Sequence, residues 1–182
     1  MALQESDVPA VWYVMRDLKR ANAKQPAYKV LEDKKMKVYT PMKKCPVTRH
    51  GEKAFEEVPF MPDLLFVHET RENLDPVVEK IPTLQYRWLR NTYRVPMTVS
   101  DTEMERFIHA VNTSKNPRFY LPEEVTRQMC NRKIRIIGGP LDGYEGLLLT
   151  IRGSRVKRLL VELEGFFSAG VEVAPEYIQP VG

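Results

Sequence analysis

The chain has 182 residues, 43% hydrophobic and 29% charged, the proportions of a soluble globular protein of one medium or two small domains. Its net charge of +4 is spread thinly, 18 basic against 16 acidic residues up to residue 112 and 7 against 6 from residue 131, which excludes holding duplex DNA by charge alone. No apolar run approaches the roughly 20 residues of a membrane span, and the two distant cysteines, Cys45 and Cys130, form neither a disulfide framework nor a metal-ligand pattern.

The opening residues carry no basic segment followed by an apolar one, so no secretion signal is expected and a reducing cytoplasm is the expected setting. VWYVMRDL, residues 11–18, is an apolar and aromatic run that predicts a buried strand. In KQPAYKVLEDKK, Pro26 suits a first helical turn, and Ala27, Val30 and Leu31 share one face of a short amphipathic helix. KVYTP, residues 37–41, predicts a second strand that its proline ends. A polar hairpin is expected between Val47 and Val58, turning near His50 and Gly51. MPDLLFV, residues 61–67, is another core strand; a short helix is expected over residues 73–80; QYRWLRN, residues 85–91, alternates as a half-exposed strand.

The clearest helix is SDTEMERFIHAVN. Ser100 and Glu103 have capping-box spacing, and Met104, Phe107, Ile108 and Val111 repeat as one apolar stripe. Strands with helices laid against them predict an α+β fold, an α/β sandwich of an antiparallel sheet with flanking helices. TSKNPRFYLPEEVTRQMC then loses any period around Pro117 and Pro122 and reads as a linker. From residue 131 only strand patterns follow: RKIRII, YEGLLLTI, VKRLLVEL, AGVEVA and EYIQPV, joined by tight turns. Five short strands in about fifty residues predict a small five-stranded closed β-barrel. The expected organisation is a domain over residues 1–112, a linker over 113–130 and a barrel domain over 131–182.

Four glycines and a proline crowd GGPLDGYEGLLLTI, residues 138–151. Barrel corners account for Gly138, Gly139 and Gly143, and Gly146, just inside a strand, fits a bulge or a close backbone approach. A phosphate-binding loop is excluded by context, because strand rather than helix follows and no Lys-Ser/Thr pair closes the motif. Catalysis has no support either. His50, His68 and His109 are scattered, and no nucleophile–base or paired-carboxylate arrangement follows from spacing, so a non-enzymatic protein without cofactor or metal is expected.

RKIRIIGGPLDGYEGLLLTI resembles a KOW motif: a strand, a Gly-Pro turn with spaced glycines, then an apolar strand. WYVMR, PFMPDLLFV, IPTLQYRWL and VPMTVSDTEMERF resemble, in order, four segments of the NGN domain of the NusG family of transcription elongation factors. The similarity runs from about Val11 to Val181. Within the family, the length and the polar hairpin look most like the specialised, operon-specific antiterminators of the UpxY type, associated with capsular polysaccharide operons.

The resemblance implies an NGN-like domain followed by an SH3-like KOW barrel, and an apolar concavity that docks on the clamp helices of RNA polymerase. By position the concavity would involve Met61, Pro62, Leu64 and Phe66, with Trp88 nearby; Leu64 and Phe66 are candidates for core as well as for contact. The family pattern is altered at Arg16, which replaces an aromatic residue, and at Asp63 and Leu64, which replace Gly and Tyr. Residues 75–78 lack the His/Thr cluster that grips the polymerase in some specialised members. Arg87, Arg90 and Arg94 interleave with Trp88 and Tyr93, a pattern that could hold the non-template DNA strand; nascent RNA is a further candidate, and strand arginines in water are the plain alternative. Lys34, Lys35, Lys37, Lys43, Lys44, Arg49 and Lys53 form a second basic group around the hairpin. In the barrel, Phe166 and Phe167 are candidate contacts for a ribosomal protein or another factor, with Arg152, Arg155, Lys157 and Arg158 alongside for RNA; Glu164 and Gly165 stand where the general factor has an Ile-Phe pair. The function so implied is an operon-specific factor that suppresses pausing and termination; a general elongation factor coupled to ribosome or Rho, and a KOW-type RNA-binding module, stay open.

Overall fold

The computed structural model describes residues 8–20 and 24–182, residue 131 by its backbone alone; residues 1–7 and 21–23 of the expected first domain lie outside the described residues. The chain divides into two compact units, residues 1–101 and 102–182.

In chain order the first unit holds β1 (Val11–Asp17), α1 (Ala27–Asp33), β2 (Lys37–Tyr39), β3 (Met42–Arg49), β4 (Glu52–Pro59), β5 (Leu64–Glu69), α2 (Arg71–Lys80), β6 (Leu84–Tyr86) and β7 (Thr98–Val99). The main sheet has the order β2-β5-β1-β6, and β7 also pairs with β1; every pairing is antiparallel. Strand alternation sorts the apolar side chains of β1 and β5 into two sets. Tyr13, Met15, Leu65 and Val67 share a core with Ala27 and Leu31 of α1 and Leu74 of α2. Trp12, Val14, Leu64, Phe66 and Val99, on the other face, are buried as well.

Local chemistry fixes where the helices start. Pro26, at the N-cap of α1, offers no side-chain acceptor, and the buried carboxylate of Asp17 takes its place: it accepts the Ala27 N–H at 2.7 Å and the Lys19 N–H at 2.9 Å. α2 starts on the Thr70 hydroxyl, which accepts the Asn73 N–H at 3.3 Å, and has Glu72 in its first turn and Lys80 in its last, both favourable to the helix dipole. β3 and β4 form a separate two-stranded ribbon, paired from Met42↔Pro59 to Arg49↔Glu52, around a two-residue turn at His50 and Gly51.

α3 (Asp101–Thr113) begins on the last residue of the first unit. It is followed by β8 (Arg118–Tyr120), β9 (Cys130–Ile136), β10 (Glu145–Leu149), β11 (Arg158–Leu163), β12 (Phe167–Glu172) and β13 (Ile178–Pro180), in the sheet order β13-β9-β10-β11-β12-β8. The expected linker is therefore not free chain. β8 lies within it and pairs with β12 from Ser168↔Tyr120 to Gly170↔Arg118, covering an edge that five strands alone would leave open. No ladder among the described residues joins β8 to β13, so the sheet has six strands in an open path where a closed five-stranded barrel was expected. The chain also divides after Asp101 rather than after residue 112, because α3 packs on these strands: Phe107 meets Phe167 edge-on at 5.4 Å, the Tyr144 hydroxyl donates to the Arg106 carbonyl at 2.9 Å, and Glu103 accepts the Glu164 N–H at 3.0 Å.

The glycine run has two separate causes. Gly138 and Gly139 take φ of 87° and 72° under the face of Tyr177, whose ring carbons would lie 3.0–3.2 Å from any Cβ added there. Gly146 sits where β10 passes β11 so closely that a Cβ would come within 2.5 Å of the Leu160 carbonyl oxygen and 3.0 Å of a Leu159 methyl. Backbone cannot yield as a flexible side chain can. Gly146→Ala is therefore expected to destabilise the second unit by about 1–3 kcal/mol, read as faster amide exchange in β10 and β11, while the first unit, which holds both tryptophans, keeps its fluorescence unfolding midpoint.

Candidate functional site

Beyond β6 the chain makes an irregular arm. The Arg87 N–H donates to the Val14 carbonyl at 2.9 Å, Met97 N–H to the Arg87 carbonyl at 2.7 Å, and Leu89 N–H to the Val95 carbonyl at 2.8 Å, with a bridge between Trp88 and Pro96. Two strands of the arm thus run back to back until its tip, residues 90–94, where Asn91 and Arg94 take left-handed φ of 59° and 49°. Asn adopts this conformation readily through its short polar side chain, whereas Arg94 does so at about 1–2 kcal/mol. Strain of this kind, held by the surrounding bonds, is a reason to look for function at the tip.

The arm exposes apolar side chains that its own unit does not cover. Tyr93 is 84% exposed and Trp88 43%, and Leu89 and Val95 are comparable to Trp88. The Arg94 guanidinium lies 5.4 Å from the Tyr93 ring centroid, a cation–π distance, and Arg90 is exposed beside it. Arg87 differs from these two. It is partly buried, forms an ion pair with Asp63 at 3.6 Å, and has a buried Nε without a partner. Of the three arginines expected to meet nucleic acid, the fold brings Arg90 and Arg94 together at the tip and ties Arg87 to the turn before β5. Asp63, one of the departures from the family pattern, is the residue that holds it.

Trp88 rests on a supported stack. Its ring lies 5.5 Å from Tyr86, which meets Tyr13 edge-on at 5.5 Å. From α2, the Arg71 guanidinium lies 5.0 Å over Tyr86 and donates to Asp75 at 3.0 Å, and the Tyr86 hydroxyl donates to the same carboxylate at 2.7 Å. Burial pushes the Asp75 carboxyl up, but the hydrogen bonds from Arg71 and Tyr86 outweigh it and hold the group below its ordinary value. Burial and then the Asp75 hydrogen bond push the Tyr86 hydroxyl far up, so it remains a donor. In residues 75–78, the stretch without a His/Thr cluster, Asp75 is engaged by Arg71 and Tyr86, Val77 and Val78 pack on the core, and Pro76 is exposed.

Several sequence expectations need correction. Leu64 and Phe66 are 1% and 0% exposed, so neither reaches the surface as folded; of the expected docking residues only Met61, half-buried, Pro62, exposed, and Trp88 do. Phe167 is 1% exposed, enclosed by Phe107 at 5.4 Å and Phe119 at 6.2 Å, and is not available to a partner; Phe166 is half-buried. In the second basic group, Lys37 lies over the Trp12 ring at 5.1 Å, Lys43 over Phe60 at 5.7 Å, and Arg49 pairs with Glu56 at 3.4 Å. Sequence reasoning missed Leu89 and Val95 as surface groups, and Phe55, 75% exposed on the ribbon. An aromatic residue inside an otherwise polar hairpin was the available signal for Phe55.

Two of the three histidines are engaged structurally, and His50 is exposed in the turn of the ribbon. His68 shares a hydrogen bond with Asp101 at 3.1 Å beside the Trp12 ring, and His109 donates to the Pro140 carbonyl at 2.9 Å. Among the described residues no group of three His, Cys, Asp or Glu side chains could hold a metal ion, and no helix is long and apolar enough to cross a membrane.

Residues 10–108 match the family model described as "Transcription termination factor nusG", more than half of the chain. No curated protein matches it.

The Asp75 pair sets a pH dependence with a definite sign. A carboxylate held below its ordinary 3.8 contributes stability in full above that value, and the contribution is lost as pH falls through the lower, folded value. Asp75→Asn should lower the unfolding free energy read from urea titration of tryptophan fluorescence at pH 7, by no more than about 1 kcal/mol for a solvent-screened pair. The gap from the unsubstituted chain should close as pH is taken below 3.8; a gap that stays constant with pH would remove Asp75 from the support of Trp88.

Proposed function

Because the chain belongs to the NusG family of transcription elongation and termination factors, whose members bind RNA polymerase, we propose that it is an operon-specific member that docks on the clamp helices and suppresses pausing and termination. The observation that carries this reading is the arm over residues 87–97. It offers Trp88, Leu89 and Val95 as a partly exposed apolar surface, with Arg90, Tyr93 and Arg94 at its end. Partner contacts are commonly dominated by a few Trp, Tyr and Arg side chains, and this arm presents all three types. Docking uses Trp88 and Leu89 together with Met61 and Pro62; the tip lies against the non-template strand, where Tyr93 stacks on a base and the arginines meet phosphates. Leu64 and Phe66 stay buried in the sheet and take no part in the contact.

The mechanism is a population shift. A factor that binds the closed clamp better than the open one lowers the occupancy of paused states, and about 1.4 kcal/mol of differential affinity changes that occupancy tenfold. We read the C-terminal β unit, whose Gly-Gly-Pro turn resembles a KOW motif, as the recruiting module. The burial of Phe167, together with Glu164 and Gly165 in place of the Ile-Phe pair, supports a specialised partner over coupling to ribosome or Rho.

Trp88→Ala should weaken binding to purified polymerase by about thirtyfold, the usual cost of truncating a central tryptophan, with an unchanged circular dichroism spectrum. Undiminished binding would sink the docking surface. Pause suppression on one operon leader but not on unrelated templates is expected of a specialised factor; equal suppression on all of them would identify a general one.

A further inference from the structure

We infer that the free chain pairs with a second copy of itself through the outer edge of β4. Two ribbons would then form one four-stranded antiparallel sheet around a two-fold axis at Phe55. The inference goes beyond the polymerase reading and does not rest on it.

The ribbon is the part of the first unit that the main sheet leaves unpaired. β3 and β4 pair with each other and, among the described residues, with no other strand. Residues 52–57 of β4 are all exposed, Phe55 to 75%. Two strands alone are marginally stable in water, and an open edge is a template for a further strand.

Backbone parity decides which groups are open. His50 and Gly51 take φ of 51° and 84°, a type I′ turn, which makes Arg49↔Glu52 a hydrogen-bonded pair. Along the register, Val47↔Ala54, Cys45↔Glu56 and Lys43↔Val58 are then bonded pairs as well. At the base of the ribbon the Phe60 N–H donates to the Pro41 carbonyl at 2.7 Å, the phase that this alternation requires. The N–H and C=O groups of Lys53, Phe55 and Glu57 therefore point away from β3. On the opposite edge the same phase turns Lys44, Pro46 and Thr48 outward, and Pro46 has no N–H to donate. One edge is blocked and the other is open.

Side chains along the open edge select the partner. Antiparallel pairing about Phe55 sets that ring against its own copy, and Lys53 against Glu57 of the second copy, twice by symmetry. Lys53 and Glu57 are exposed, and neither has an ion-pair partner among the described residues. Pro46 lies opposite Phe55 in the ribbon, so the two rings complete an apolar row across all four strands. The remaining acids fix the register. A slip of two residues sets Glu52 against Glu56 in one direction and Glu56 against its own copy in the other. A slip of one leaves the outward groups unmatched. An acidic peptide meets Glu57 on this edge and a basic one meets Lys53, whereas a second copy has no like charge directly opposite. Because the pairing is two-fold and Pro46 blocks each outer edge, association closes at two copies.

The test is sedimentation velocity of the full chain over a concentration series. The unsubstituted chain should pass from monomer to dimer in the micromolar range, as suits a pairing smaller than a standard interface, and should stop there. Lys53→Glu and Glu57→Lys should each weaken self-association at least about tenfold, because each places two like-charge pairs in the dimer. An equimolar mixture of the two variants should recover the dimer, since each then meets opposite charges on the other. Recovery also shows that neither variant has lost its ribbon. A chain monomeric throughout, growth beyond the dimer, unchanged self-association in both variants, or a mixture no better than its parts would each overturn the inference.

Discussion

Burial of β5 on both of its faces constrains everything else in the first unit. Residues 64–67 are four consecutive apolar side chains, alternately directed to opposite sides of the sheet, and all four are 2% exposed or less. Each side chain of this kind contributes about 1.5–3 kcal/mol by leaving water, so a partner that required Leu64 or Phe66 to turn outward would have to supply a large part of the unit's stability. On the proposed reading, contacts with a partner fall to the turn before β5 and the arm after β6.

That arm is held to the sheet by interactions distant in sequence. Arg87 reaches back to Asp63, its backbone bonds to Val14, and Trp88 lies on Tyr86, which α2 fixes through Asp75 and Arg71. A tryptophan supported in this way loses little conformational freedom when a partner arrives, which favours affinity without new contacts. The arginines divide the work accordingly: Arg87 is structural, while Arg90 and Arg94 extend into solvent from a backbone that left-handed φ values turn outward.

The regular elements were legible wherever their signal was local. The stripe of Met104 and Phe107 marks α3, the apolar run opening at Val11 marks β1, and the polar hairpin turns where His50 and Gly51 place it. β8 was hidden because three residues between two prolines carry no period; only pairing with β12, about fifty residues on, makes them a strand. Phe166 and Phe167 show a second limit. Alternation says that one ring points in and one points out, but the choice is set by the β11–β12 register, which pairs Leu163 with Phe167. Similarly, the sequence marks both faces of β5 as apolar without indicating that both are covered. At the candidate site the mixture of arginine and aromatic residues was visible, whereas the withdrawal of Arg87 by Asp63 depends on a long-range contact that no spacing encodes.

The central claim is that the chain meets its polymerase partner through the arm after β6 while the β5 strand stays closed. Amide hydrogen exchange, followed for the chain alone and for the chain bound to RNA polymerase, tests it most directly. Residues 64–67 should be slow to exchange in both states, and protection should rise on binding in residues 87–97. Rapid exchange of residues 64–67 in the free chain, with protection gained there and not in the arm when polymerase is added, would contradict it.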